Sequence, residues 1–335
     1  MSPSITISNG LKSTTVGKLG YGLMNFTWKP VTVPDERAFP AIKAAIDSGS
    51  TFINAGEFYN RPEEPGANLK LLARFFKAYP GYADKVFLSV KGATNLENLH
   101  PDCSSENLRG SVDRILAHLD GTKKLDLFQP ARIDRSRSIE DIVKDLKGLI
   151  EEGKFDHIGL SEVSAATLKR AQAVYPISLV EAEYSVWSQD IENNGLLEAC
   201  KELKIPIVGY SPLGRGMLAG ALKSASDVPK GDIRSYFDRF QPENFDHNLQ
   251  LVHQLSALAA KKNVSLPQLC LAWALRQEWV LPIPGSTRPE GVLENVGALK
   301  VTITEDEDKD IRKCAADAAV KGGRYNAHIE SSLFV

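Results

Sequence analysis

The sequence predicts an α/β fold, a (β/α)₈ (TIM) barrel forming one domain over residues 1–335, on three observations. Short apolar runs recur eight times along the chain. Each is followed by a longer segment with apolar residues at helical spacing. The runs are apolar on both faces, as strands buried between helices must be, rather than alternating like half-exposed antiparallel strands. Eight strand-then-helix units suit a closed barrel, whereas six would have left a doubly wound sheet as a rival.

In order, residues 4–18 are polar and read as a hairpin ahead of the repeat. The eight runs are 19–24, 51–55, 86–91, 125–133, 157–162, 179–185, 205–212 and 280–286. After the third run, Glu106, Arg109, Val112, Ile115, Leu116 and Leu119 keep helical spacing, and Ser104 or Ser105 offers an N-cap oxygen. After the fourth, a helix starts at Ser138 with Asp141 three residues on and stops near Gly153. Two stretches fall outside the repeat and are expected to cover a barrel end or shape a pocket: 222–241, ahead of a helix near 249–262, and the tail 321–335.

A net charge of −2 gives no clustered positive excess for nucleic acid or an anionic membrane, so a small molecule is the expected partner. Cys103, Cys200, Cys270 and Cys314 lie far apart without a C-x-x-C pair, which predicts free thiols in a reducing compartment. No metal site is expected, because no ligand spacing occurs among the histidines. No apolar run approaches the ~20 residues that span a bilayer. The opening lacks the pattern of a secretion signal. The expected location is the cytoplasm, with entry to the nucleus left open.

In such a barrel, chemistry sits where strands end. The second run ends in Asn54-Ala-Gly-Glu-Phe-Tyr59 and the third in Ser89-Val-Lys91-Gly. Alone, a lysine closing a strand reads as a snorkelling surface charge, and a tyrosine after a turn as a packing residue. On neighbouring strands they make a different pair, because an ammonium near a phenol favours the phenolate and adjusts it for proton transfer.

The ordered set Asn54–Tyr59, Val90-Lys91-Gly92, Gly159-Leu-Ser-Glu162, Glu183-Tyr-Ser185, Gly209-Tyr-Ser-Pro-Leu-Gly-Arg-Gly-Met-Leu-Ala-Gly220 and Pro282-Ile-Pro-Gly-Ser-Thr287 resembles the aldo-keto reductases along nearly the whole chain. The resemblance implies a (β/α)₈ barrel, NADP(H) extended across the C-terminal rim, no metal, and hydride transfer to a carbonyl carbon. It implies Tyr59 and Lys91 as catalytic residues, with Asn54 beside them. It further implies Ser161, Glu162, Glu181 and Tyr210 at the nicotinamide, and Ser211, Leu213 and Arg215 at the pyrophosphate. Ser286, Arg288, Glu294 and Asn295 would then hold the adenosine end and its 2′-phosphate.

This chain departs from the family pattern at two positions, with Asn54 where Asp is usual and Ala131 where His is usual. The first change is expected to leave Lys91 less neutralised and so to depress the Tyr59 pKa further. The second removes a carbonyl-orienting donor, a loss of about 10²-fold if nothing replaces it. It also opens space beside Ala131, bordered by Trp28, Phe58 and Arg132, for a flat substituted ring. Together with Arg324-Tyr325-Asn326, these motifs are most similar to the fungal pyridoxal reductases. That implies NADPH-dependent reduction of pyridoxal to pyridoxine, in vitamin B6 metabolism. A broad aldehyde or ketone reductase and a nucleotide-sensing regulatory subunit are the alternative readings.

Overall fold

A computed structural model describes residues 3–326, 330 and 332–335. The chain opens with an antiparallel hairpin, β1 (Ser4–Ser8) and β2 (Ser13–Gly17). Its turn is fixed by Asn9, whose side-chain oxygen accepts from the amides of Leu11 and Lys12 at 3.0 and 2.7 Å.

Eight parallel strands follow, hydrogen-bonded in chain order: β3 (Tyr21–Gly22), β4 (Phe52–Gly56), β5 (Phe87–Gly92), β6 (Leu127–Pro130), β7 (His157–Ser161), β8 (Ile177–Glu183), β9 (Ile207–Tyr210) and β10 (Val280–Pro282). The first and last strands are joined by the amides of Gly20 and Gly22, which donate to the carbonyls of Pro282 and Pro284 at 2.9 and 3.2 Å. The sheet therefore closes on itself, and the barrel is the one expected from the repeat.

Helices Ser105–Leu119 and Ile139–Glu151 start where the sequence placed them, with the Ser104 and Ser138 hydroxyls accepting from the amides of Asn107 and Asp141. The helix anticipated near 249–262 begins earlier, spanning Pro242–Lys261. Proline at its start suits a helical first turn, but the polar residues after it hide the amphipathic pattern. Strand β8 also begins two residues early. Ser178 resembles a boundary in sequence, yet its hydroxyl is satisfied by His157 Nδ1 at 2.9 Å inside the barrel wall.

Two cores result. The larger lies between sheet and helices, and the smaller fills the barrel itself. In the smaller, Ile7 and Val16 of the hairpin pack against Phe52, Phe87, Leu127, Leu179, Val208 and Leu281, so the hairpin plugs the N-terminal end. All four cysteines are free, and three are buried. No helix among the described residues is long and apolar enough to cross a membrane.

Candidate active site

Strand side chains repeat every two residues, so each inward apolar residue at the plug predicts the next ones above it. From Phe52 the series runs to Asn54 and Gly56, from Phe87 to Ser89 and Lys91, from Leu127 to Gln129 and Ala131, and from Leu179 to Glu181 and Glu183. Four strands thereby bring a polar layer to the middle of the barrel. Lys91 Nζ lies 3.0 Å from Glu181 Oε1 and donates to Asn54 Oδ1. The other oxygen, Glu181 Oε2, accepts from Asn54 Nδ2 at 2.7 Å and Gln129 Nε2 at 2.6 Å. Asn54, Lys91, Gln129 and Glu181 are all buried.

Tyr59 stands over this layer. A side chain at Gly56 would fall within 3.0 Å of the Tyr59 ring, so only glycine there lets the ring fold back onto β4. Lys91 Nζ is 5.0 Å from the ring centroid. Trp28 stacks on the Tyr59 ring at 5.3 Å and Phe58 meets it edge-on at 5.1 Å, forming an aromatic wall.

The expected depression of the Tyr59 phenol is not found. Burial raises it above its ordinary value; Lys91 opposes that rise, and Glu181 adds to it. Burial is the main reason, and the carboxylate missing at position 54 returns from β8 as Glu181 and adds to it. Burial alone would lower the Lys91 ammonium, and Glu181 with Tyr59 holds it above the ordinary lysine value instead.

A second polar cluster occupies the rim over β7 to β9. Glu162 accepts from Arg324 Nη2 and Nη1 at 2.9 and 3.1 Å, from the Tyr210 hydroxyl at 2.8 Å and from the Glu183 amide at 3.0 Å. Burial would raise its carboxyl, but Arg324 and Arg132 outweigh this and hold it below the ordinary value. The Tyr325 hydroxyl meets that of Tyr210 at 2.9 Å and accepts from Arg132 Nη2 at 3.1 Å. Arg132 Nη1 donates to Ala131 O at 2.6 Å and Ser161 Oγ at 3.3 Å. Its Nε is buried and finds no partner among the described residues. The chain end is tied to the same place, with Val335 donating to Glu162 O and accepting from the Ser164 amide.

Glu162 and Glu181, expected at the carboxamide of a nicotinamide, thus have both oxygens committed to cations and neighbouring donors. Sequence reasoning quoted Arg324 and Tyr325 as a motif without placing them at the site. Their signal was Glu162, since a buried acid requires a cation. The cation came from 162 residues downstream.

Farther out, Ser211 and Leu213 open the loop after β9, and Ser211 has φ +50°. Arg215 lies between the Phe237 and Tyr325 rings, 4.2 Å from each, and donates to Glu183 and to the Arg324 carbonyl. Ala93, Glu162 and Ser211 directly follow β5, β7 and β9, and all three hold left-handed backbone. Such strain costs on the order of 1–3 kcal/mol per residue and gathers where function fixes the backbone. Beyond β10, Ser286 and Arg288 precede the helix Pro289–Gly297, which carries Glu294 and Asn295. Arg288 and Glu294 are exposed and Asn295 is buried.

The sequence profile of the Aldo/keto reductase family matches residues 18–316. The chain is 41% identical to "Probable pyridoxal reductase 2" of Schizosaccharomyces pombe over 98% of this chain and 99% of that one. It is 38% identical to "Aldo-keto reductase yakc [NADP(+)]" of the same organism, covering 96% and 95%. In fold it matches the glycerol dehydrogenase AKR11B4 from Gluconobacter oxydans, with a TM-score of 0.82 at 22% identity, over 95% of this chain and 97% of that one. Profile, full-length likeness and barrel agree: the chain belongs to the aldo-keto reductase family of NADP(H)-using oxidoreductases.

Proposed function

We propose that this protein reduces an aromatic aldehyde with NADPH, its substrate being pyridoxal and its product pyridoxine, with Tyr59 as the proton donor. The observation that carries the reading is the Lys91 ammonium 5.0 Å from the Tyr59 ring, inside a wall made by Trp28 and Phe58. The choice of pyridoxal is supported by the 41% identity to a protein described as a probable pyridoxal reductase.

NADPH, when bound, supplies a hydride. The residues suit it. The exposed Arg288 and the first turn of the helix Pro289–Gly297 offer a guanidinium fork and a positive helix end for a phosphate dianion. A side chain at Gly291 would come within 2.5 Å of Ser286 Oγ, which keeps the loop pressed against that first turn. Ser286, Arg288, Glu294 and Asn295 would hold the adenosine end, Ser211, Leu213 and Arg215 the pyrophosphate, and Ser161 and Tyr210 the nicotinamide.

Tyr59 gives its proton to the carbonyl oxygen as the carbon is reduced, and Lys91 stabilises the phenolate left behind. Ala131 is small and buried, and in this reading a flat substrate ring lies beside it, bordered by Trp28, Phe58 and Arg132. The buried Nε of Arg132, which has no partner among the described residues, would in this reading donate to the hydroxyl that pyridoxal carries next to its formyl group, in place of the missing histidine. The test is to follow nicotinamide absorbance with purified protein, NADPH and pyridoxal, alongside benzaldehyde, pyridine aldehydes and short aliphatic aldehydes. Pyridoxal should give the highest kcat/KM. A preference for unbranched aliphatic aldehydes would overturn the assignment.

A further inference from the structure

We propose that Glu181 is the counter-ion of Lys91, delivered across the barrel from β8, and that Asn54 acts as a neutral bridge between them. Glu181 is then a positioning residue for the Tyr59–Lys91 pair rather than a ligand of the cofactor. The inference rests on the reading of Tyr59 as proton donor.

Three observations carry it. The two oxygens of Glu181 are both used inside the barrel: Oε1 faces Lys91 Nζ at 3.0 Å, while Oε2 accepts from Asn54 and Gln129. Asn54 presents its oxygen to the ammonium and its amide nitrogen to the carboxylate, the only orientation that satisfies both. Lys91 and Glu181 are 5% and 3% exposed at their side chains, so neither charge is relieved by water and each requires the other. Three strands therefore contribute to orienting one ammonium, with β4 and β6 holding the carboxylate that β8 supplies.

The consequence concerns charge. The titratable groups facing the Tyr59–Lys91 pair are Glu181 on β8 and the Tyr325 phenol of the tail. Asn54, Ser89 and Gln129, on β4, β5 and β6, line the same space without charge. Removing the negative charge of Glu181 leaves the lysine without its anion and the phenol without a neighbouring negative charge. Both titrations then move to lower pH. An aspartate at position 54 would put a carboxylate oxygen where the Asn54 oxygen already meets Lys91, restoring the charge with almost no change of shape.

The experiment compares Glu181→Gln with the exchanged pair Asn54→Asp/Glu181→Gln in the full-length protein. In Glu181→Gln the alkaline limb of the kcat profile for aldehyde reduction should move down by about one pH unit or more. Midpoint urea concentration should fall, because a buried ammonium has lost its partner. The exchanged pair should return both toward wild type. A limb that stays in place in folded Glu181→Gln, with NADPH affinity weakened about tenfold or more, would make Glu181 a cofactor ligand and overturn the proposal. If Glu181→Gln does not fold, recovery of folding in the exchanged pair supports the charge role, and failure of both variants refutes it. Wild-type protein inactive on every aldehyde would sink the functional reading alone, since the unfolding comparison is read without turnover.

Discussion

Replacing Arg324 by alanine should cost the protein about 3–5 kcal/mol of unfolding free energy at neutral pH. Arg324 meets Glu162 through two hydrogen bonds of 2.9 and 3.1 Å, and the side chains are 3% and 0% exposed. The variant keeps the carboxylate where water cannot reach it and removes its main cation, which is the situation that makes a broken buried pair expensive. Arg324 also lies 3.7 Å from Glu183 and packs over the Phe334 ring at 4.8 Å, and both contacts go with it. Equilibrium urea unfolding across pH reads the effect. In wild type the Glu162 carboxyl is held below its ordinary value near 4.5, although burial pushes the other way. Its stabilisation is therefore complete above that ordinary value and is lost as pH falls through the depressed one. In the variant, the largest opposing cation is gone and burial is countered only by Arg132 and the Tyr210 hydroxyl, so the carboxyl rises and the gap between the two proteins should widen from acid to neutral pH. The control is Glu162→Gln with Arg324→Met, which removes both charges while leaving an oxygen for Tyr210 and the Glu183 amide; it should lie much closer to wild type. An Arg324→Ala protein within about 1 kcal/mol of wild type at neutral pH, with no widening, would refute the account of the pair as a buried charge couple.

Two predictions concern chemistry and cofactor. Tyr59→Phe should lower kcat for aldehyde reduction by about 10²–10⁴-fold while leaving NADPH binding, followed by fluorescence titration, close to wild type. A variant with full turnover would remove Tyr59 from the mechanism. Arg288→Ala should raise the NADPH dissociation constant by about tenfold or more, the worth of a charge-assisted hydrogen bond, and barely move that of NADH, which lacks the 2′-phosphate. Equal loss for both nucleotides would make Arg288 structural.

The barrel was legible because its signal is repetitive. Eight apolar runs with helices between them admit few arrangements, and errors of two residues in β8 or seven in the helix starting at Pro242 do not alter the architecture. Tyr59 and Lys91 were legible for a related reason, since Lys91 lies at the end of β5 and Tyr59 in the turn just after β4, its neighbour in chain order. The partners of the acids were not. Glu181 reaches Lys91 across the barrel, 90 residues away, and Glu162 reaches Arg324 across 162. Nothing in local periodicity reports such distances. The pattern did contain a usable hint: once Phe52, Phe87, Leu127 and Leu179 are taken as one apolar layer, a step of two along each strand gives Asn54, Ser89, Gln129 and Glu181. Reading the runs as uniformly apolar concealed that layer.

The two buried acids follow the same logic. Burying a carboxylate without a cation costs several kcal/mol, so an acid at an inward or rim position of a barrel strand implies a basic residue somewhere on the same rim. For Glu181 that residue is Lys91, and under the proposed mechanism the acid would act on chemistry through the lysine. For Glu162 it is Arg324 from the tail, whose neighbour Tyr325 touches Tyr210 and Arg132. The tail is thereby anchored over the expected nicotinamide position by a charge pair on β7's end and by Val335 pairing with the same residue. An uncharged residue at position 162 would leave the buried Arg324 with only its more distant carboxylates, Glu183 at 3.7 Å and Asp190 at 4.0 Å. Position 162 and Arg324 are thus expected to be energetically coupled, so that removing both charges costs less than the sum of the two single removals.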